Sequence, residues 1–530
     1  MTSFTLSSHE IAPPPATTTV RASAPAKPAR GSWQRGRIAA RYDAAQTTDQ
    51  TRNHWAAADA LGPDASLSPT VRGVTRRRAR YETANNGYVK RSLRVKRNDL
   101  VGTGPRLQLT LPETWTDPDF GTAMTTPEGA ARAVERAYRK WMRAAGIARE
   151  LRVMVESGNR DGECFGLFVT NPAIDDGVKL GLRLLEADQC ATPDLNHADP
   201  LATDGVRYDG YGNPVEYHFL RSHPGELGFP RGWNEYDRVA AKYVVHWFDA
   251  DRPGQRRGIT QLAPTLNLSG QTRRMTAAVL AAAETAANHA AVLTTDQPPP
   301  GDDGLDPDAE RPEDFDRVPL PQNGAVTLPA GWSLTQFDAK QPTTTYPQFK
   351  NELLTESGAA LNLPRNVSTC SSADYNYSSA RLDALPSRQD ARITRDDLRA
   401  VALDPLFRAW LQNARLIPGY LPAGLPPVEE WEWAWQWDGF ESIDPVKDAT
   451  ADQIRLANGT TTLSRVLAAD GIDIDEHLEQ RAKELAAAAR VEAKYGLPPG
   501  SLLPGAVKAA PPPPPAPTEE PADAEAQAAA

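Results

Sequence analysis

Residues 428–448 read VEEWEWAWQWDGFESIDPVKD, with tryptophan at 431, 433, 435 and 437. A period of two predicts a β-strand whose successive side chains point to opposite faces. Trp431, Trp433, Trp435 and Trp437 then share one face, and Glu432, Ala434 and Gln436 the other. Such a row is either a stacking platform for sugars or bases, or a wall packed against helices or a neighbouring chain. Each indole can bury roughly 150–250 Å². No basic groove accompanies the row, so packing is the preferred reading.

Around this strand lie 530 residues, enough for two to four domains at about 150 residues each. The content of 40% hydrophobic and 24% charged residues suits a soluble body, while much of its proline, 47 residues in all, sits at the ends and in one central segment. Cys164, Cys190 and Cys370 form neither a disulfide framework nor a CxxC pair, so buried thiols in a reducing compartment are expected. The opening MTSFTLSSHEIAPPPATTTV lacks a basic start followed by an apolar run, so no secretory signal is expected. The most apolar helical run, MTAAVLAAAETAANHAAVL (275–293), is interrupted by Glu284, Asn288 and His289, which argues against a membrane span. A net charge of −10 argues against a simple nucleic-acid coat.

Along the chain, 1–35 and 506–530 are expected to be disordered, being rich in Pro, Ala and small polar residues. Residues 40–62 read as helix around Trp55, and Thr126 reads as an N-cap with Pro127 at the first helical position. Val134, Tyr138, Trp141 and Ala145 repeat at helical spacing behind it. Strand-like runs follow: LRVMVE (151–156), CFGLFV (164–169), LRLLEA (182–187), EYHFLR (216–221) and YVVHWF (243–248). A long helix is expected over 257–293, broken or not near Pro264, then an acidic, proline-rich stretch and β structure to about 340. A helix over about 346–361 leads to LPRNVSTCSSADYNYSSAR (363–381). Residues 378–416 are helical, with Pro386 kinking or breaking the run, or with a restart capped by Ser387 and Asp390. Helices near 464–470 and 474–495 should end at Gly471 and Gly496.

Catalytic patterns are absent from the sequence. There is no GxxxxGK[ST] loop, no HExxH and no Cys/His cluster, so no catalytic residue, metal or cofactor is assigned. His246 reads as a strand-end residue, and Ser378–Ser379, without a GxSxG elbow, as helix capping. Glu156 and Glu163 flank SGNRDG, read as a hairpin-like turn, and are taken as solvated charges. Residues 71–100 hold ten Lys/Arg against two acids, a local charge of +8. Arg76, Arg77, Arg78 and Arg80 therefore become candidates for contact with DNA or with acids on a neighbouring subunit. Between 302 and 317 the bias reverses, with eight acids against Arg311 and Arg317.

Several stretches, taken in order, resemble the lambda-type portal proteins of tailed bacteriophages. They are YDAAQTT with Trp55; RRRARYETANNGYVKRSLRVKRNDLVGTGPRLQ; HWFDADRPGQRRGITQLAP (246–264); YNYSSAR (375–381); the Trp strand closing in Ile443-Asp444-Pro445; and GTTTLSRVLAADGIDIDEHLEQRAKE. They cover roughly residues 40–485, and Pro386 and the proline-rich ends depart from the family's pattern. The resemblance implies an α+β portal fold with wing, two-helix stem, clip and helical crown, assembled as a ring of usually twelve subunits at one capsid vertex. Its implied layout is an arm over 1–35, wing 36–256, stem helix 257–293, clip 294–345, second stem helix 346–362, tunnel loop 363–378, wing 379–449, crown 450–496 and tail 497–530. Arg365, Asn366, Asn376 and Tyr377 would then face the DNA channel. The implied partners are further copies of the chain, double-stranded DNA, the large terminase subunit, the major capsid protein or scaffold, and the head–tail connector, with no membrane. Assembly would take place in the host cytoplasm. The alternatives are a nucleic-acid-binding regulator using 71–100, and a hydrolase with an unrecognised serine or carboxylate site.

Overall fold

Asn86 ends one helix and starts the next, and the hairpin it makes organises the N-terminal part of the fold. The structure, a computed structural model, describes residues 53–118, 120–192, 199, 201–226, 235–288, 291–295, 332–336, 344–373, 375–440 and 444–502. The expected arm, most of the expected clip and the tail beyond residue 502 lie outside these. The chain divides into two units, Met1–Ala60 and Leu61–Ala530. In the first, residues 53–57 form a turn where helix was expected, with His54 and Trp55 edge to face at 5.7 Å.

The second unit opens with α1 (Pro63–Ser66), α2 (Pro69–Asn85) and α3 (Gly87–Val101). Pro69 sits in the first turn of α2, where its missing N–H costs nothing. The Asn86 side chain accepts the Tyr88 N–H at 3.1 Å, capping α3. Next come β1 (Arg106–Thr110), the hairpin β2 (Thr114–Thr116) and β3 (Ala123–Thr125), then α4 (Ala130–Ala144) and α5 (Ile147–Asp161). The expected cap at Thr126 is not formed. Gly129, at φ 72°, begins α4, while the Thr126 hydroxyl is bound to the Pro112 carbonyl.

LRVMVE lies within α5, not in a strand. Leu151, Met154 and Val155 are buried at a spacing of three and four, the period of one helix face, which the apolar run disguised. SGNRDG is the end of that helix, closed by Gly162 at φ 96°.

The other strand expectations agree with β4 (Glu163–Thr170), β5 (Leu180–Glu186), β8 (Pro214–Leu220) and β10 (Val244–Phe248); β6 (Ala202–Thr203), β7 (Val206–Tyr208) and β9 (Tyr236–Ala240) complete the set. They form two antiparallel sheets, ordered β10-β4-β5 and β6-β7-β8-β9. Phe165, Tyr217 and Phe219 pack between them.

After Pro264, α6 (Leu266–Asn288) runs to the hairpin β11 (Ala291–Thr295) and β12 (Trp332–Gln336), followed by α7 (Tyr346–Ala359), α8 (Arg365–Thr369) and α9 (Tyr377–Leu398). The expected helix start at 257 is corrected, since 257–262 are not helical. Pro386 does not break α9. A π turn at Arg399–Leu403 instead joins it to α10 (Asp404–Arg415). A helical proline costs about 3 kcal/mol, offset here by the packed face carrying Ala391, Arg395 and Leu398. The start of α9 is a capping box: Ser379 N–H donates to Asn376 Oδ1 at 2.9 Å and Asn376 N–H to Ser379 Oγ at 3.1 Å. No restart occurs at Ser387, and Asp390 pairs with Lys96.

The Trp strand is β13 (Glu432–Gln436), antiparallel to β1, with Trp435 opposite Leu107 and Trp433 opposite Leu109. Its indoles are a wall of the main core. Trp431 and Trp435 are buried, and Trp433 and Trp437 pack partly buried against the same core, Trp433 edge to face with Phe407 at 5.2 Å. Finally α11 (Pro445–Ala457), α12 (Leu463–Ala469) and α13 (Ile474–Tyr495) follow, with Gly471 and Gly496 in left-handed backbone at φ 73° and 66°.

Candidate functional site: the arginine hairpin and residues 363–383

Arg72, Arg76 and Arg80 recur every four residues and so form one stripe along α2. That stripe faces acids of the same chain. Arg72 Nη1 lies 3.3 Å from Glu163 Oε1, and Arg72 also contacts Asp204. Arg76 reaches Glu163 at 3.5 Å and Asp188 at 2.9 Å. Arg80 meets Asp161 at 3.0 Å, Glu186 at 2.8 Å and Asp188 at 2.7 Å.

Glu163 is the centre of this network and is 0% exposed. Arg257 grips it at two points, Nε to Oε2 at 2.8 Å and Nη2 to Oε1 at 2.7 Å. The Gly258 N–H donates to Oε2 at 3.1 Å, and His246 Nε2 lies 3.1 Å from the same oxygen. Burial by itself raises the Glu163 carboxyl, but Arg257 and His246 reverse this and hold it well below the usual range. Burial lowers His246 despite the pull of Glu163, leaving a neutral imidazole that donates to the carboxylate.

This differs from the sequence expectation in two respects. Glu163 is not solvated, and Arg76 and Arg80 face inward to partners in their own chain. Charge counting along a segment cannot see acids that the fold brings from about a hundred residues away. Arg77 and Arg78 are exposed, as are Lys90, Arg91 and Arg94 of α3. His246 and Arg257 stand in the HWFDADRPGQRRG stretch, so both ends of that motif converge on Glu163. Glu163 is the residue sequence reasoning misread, taking the centre of the network for a solvated charge. Its only local signal is a carboxylate opening an otherwise apolar strand.

In the second segment, the Arg365 N–H donates to Asp383 Oδ2 at 3.1 Å, and the Asn366 N–H to the Tyr375 hydroxyl at 3.3 Å. Tyr375 in turn contacts the Asp383 carboxylate. The Arg365 guanidinium lies 3.3 Å from Glu352. Arg365 and Asn366 therefore open a short helix whose first amides are tied to α9 through Tyr375 and Asp383, which the sequence reading did not single out. Asn376 is the α9 cap, and Tyr377 is the first residue of α9. Cys370 sits between them at φ 58° and is exposed, contrary to the expectation of three buried thiols. Cys164 and Cys190 are buried, and burial pushes both thiols up to about 12.

Glu186, Asp188 and His223 bring possible metal-ligand atoms within 4.8 Å of one another. Both carboxylates already neutralise Arg80, which accounts for their convergence. Among the described residues no helix is long and apolar enough to cross a membrane.

Residues 44–395 match the model of the phage portal protein, lambda family. The chain is 23% identical over 485 residues to a probable portal protein of Halomonas phage phiHAP-1, covering 87% of this chain and 89% of that relative. Among solved structures it is similar to a chain in the neck of an empty GTA particle computed with C6 symmetry, at TM-score 0.41 and 15% identity, covering 73% of this chain and 91% of that one. A chain in the neck of a native GTA particle computed with C12 symmetry gives TM-score 0.40 and 13% identity, with 76% and 94% covered. The family match runs from the first unit through the arginine hairpin, the Glu163 network and most of α9, and on that extent the chain belongs to the lambda family of phage portal proteins.

Proposed function

We propose that this protein is the subunit of a non-enzymatic ring of twelve copies at one capsid vertex, through whose channel genomic DNA is packaged and later ejected. Membership of the portal family across residues 44–395 carries this reading. The order of elements supports the layout: α6 and α7 bracket the β11–β12 hairpin, as two stem helices would bracket a clip. The wing is assigned to 36–256 and 379–449, the stem to 257–293 and 346–362, the clip to 294–345, the tunnel loop to 363–378 and the crown to 450–496. The clip docks the large terminase subunit and then the head–tail connector, and the wing meets the capsid protein or scaffold.

Twelve chains carry a net charge of −120, so DNA would slide rather than adhere. Arg365, Asn366, Asn376 and Tyr377 make transient contacts with the passing duplex. Packaging at normal rate and length by their alanine variants would remove that assignment. Negative-stain electron microscopy with native mass spectrometry tests the ring itself. Rings with a central hole and a mass near twelve chains are expected, and a monomer or dimer at every salt and concentration would overturn the reading. A second reading, a nucleic-acid-binding regulator, rests on the outward Arg77, Arg78, Lys90, Arg91 and Arg94. It requires salt-sensitive duplex binding by a monomer or dimer.

A further inference from the structure

Among the described residues, one face of α9 is left largely exposed. Leu382, Leu385, Gln389, Ile393 and Asp396 are spaced by three, four, four and three residues, a single stripe on a helix of 3.6 residues per turn. Leu382 is 68% exposed, Leu385 50% and Ile393 59%. The opposite face carries Ala391, Arg395 and Leu398, all buried. Pro386 lies on the outward side beside the stripe, where it interrupts no internal contact. The stripe ends in acid: Asp396, which pairs with Arg399 at 2.8 Å, and Asp397, which faces Asp249 just after β10. Burial, and then the like charges of Asp249 and Asp396, raise the Asp397 carboxyl.

Elsewhere on the chain an open cleft of about 260 Å³ separates α2 from the start of α6. Tyr81 and Leu266 contribute its apolar surface, and Arg77 and Arg78 its rim. Tyr81 is 55% exposed, with the Arg273 guanidinium 5.1 Å from its ring centroid, and neither rim arginine has an acidic partner among the described residues. Glu82, which also lines the cleft, is already engaged by Arg273 at 3.1 Å.

We infer that the outward stripe of α9 on one subunit docks into the α2–α6 cleft of the next, its leucines covering the open side of Tyr81 and its terminal Asp397 meeting Arg77 and Arg78. The two patches differ and lie on one chain, which is the requirement of a heterologous contact that repeats around a closed ring. Their chemistry matches in both parts, apolar to apolar and acid to base. A second copy is favoured over nucleic acid as the occupant because the stripe needs an apolar cover, which a phosphate backbone does not supply. This inference rests on the ring proposed above.

The test places Tyr81→Cys and Leu385→Cys together in a Cys370→Ser background and oxidises the assembled protein. A ladder of cross-linked multimers is expected from the double variant and not from either single one. Rings that assemble but yield no ladder would overturn the contact and leave the ring reading intact, whereas an unsubstituted protein that never leaves the monomer would remove both. Charge reversal gives an independent check that does not depend on cysteine geometry. Arg78→Glu and Asp397→Lys should each lower the assembled fraction at least tenfold, and their combination should restore it. Singles that assemble normally, or a combination no better than either while circular dichroism is unchanged, would count against the pairing. Normal assembly by Arg78→Glu with loss of duplex retention on a gel would assign the cleft to DNA and overturn the proposal.

Discussion

Arg257 and Glu163 meet in a two-point contact, with Nε to Oε2 at 2.8 Å and Nη2 to Oε1 at 2.7 Å, and the side chains are 2% and 0% exposed. A buried pair of this kind does not by itself imply stability. Removing one partner, however, leaves a desolvated charge and costs about 3–5 kcal/mol. Glu163→Gln is therefore expected to lower unfolding free energy by about that amount, read by urea denaturation, because Arg72, Arg76 and Arg257 all lose their common anion. A loss below about 1 kcal/mol would mean that Asp188 and Asp204 carry the arginines without it.

The same network sets an acid limit. The folded protein holds Glu163 well below its usual 4.5 and His246 below its usual 6.5. For both groups the stabilisation is complete above the unfolded value and is lost as pH falls, since the unfolded chain then binds protons that the folded one refuses. Thermal melts should fall on acidification from about pH 6.5 and more steeply below about 4.5. His246→Gln should flatten the upper part of the curve only. A melting temperature constant from pH 8 to 4 would contradict both assignments.

Trp433 and Trp435 donate their indole N–H groups to one oxygen of Asp404, at 2.9 and 2.8 Å, and Arg399 holds the other oxygen at 3.0 Å. Asp404→Ala should cost about 2–4 kcal/mol and alter near-ultraviolet circular dichroism, as the buried Trp435 and the partly buried Trp433 lose their shared acceptor. Asp404→Asn keeps an acceptor oxygen and should cost less. Equal losses would show that the charge, not the hydrogen bonds, matters.

Gly258 passes so close to Gly162 that a Cβ there would lie 2.0 Å from the Gly162 carbonyl oxygen. Gly258→Ala should accumulate as insoluble or proteolysed protein. Gly73, in the middle of α2, has nothing within 4 Å of its Cβ position, and Gly73→Ala should gain about 0.5–1 kcal/mol from helix propensity.

Helix α13 is tied to α4 by exposed ion pairs, Arg132 to Asp475 at 3.3 Å and Arg139 to Glu476 at 2.7 Å. Such pairs are worth less than about 1 kcal/mol each and are screened by salt. Arg132→Ala with Arg139→Ala should leave the global melt almost unchanged while speeding amide exchange at 474–480. High salt should have the same effect on the unsubstituted protein. Unchanged exchange would indicate that apolar contacts hold the helix.

The sequence by itself determined the elements whose cues are local. The Trp alternation specified β13 and its buried face, because alternation is a property of neighbouring residues. Gly471 and Gly496 marked the ends of α12 and α13, because left-handed backbone strongly favours glycine. The family resemblance was equally legible, being a set of ordered short motifs. Only the tertiary structure decided what the charges do. Arg76 and Arg80 seemed outward because their partners, Asp161, Glu163 and Asp188, lie 81 to 112 positions away, and no local pattern reports which acid a fold will deliver. LRVMVE satisfied strand and helix patterns alike over six residues, and packing against the β4 sheet and α2 chose helix. Pro386 reads as a kink or break because a proline's local cost is fixed, whereas the packing of the opposite face that offsets it exists only once α9 lies on α3.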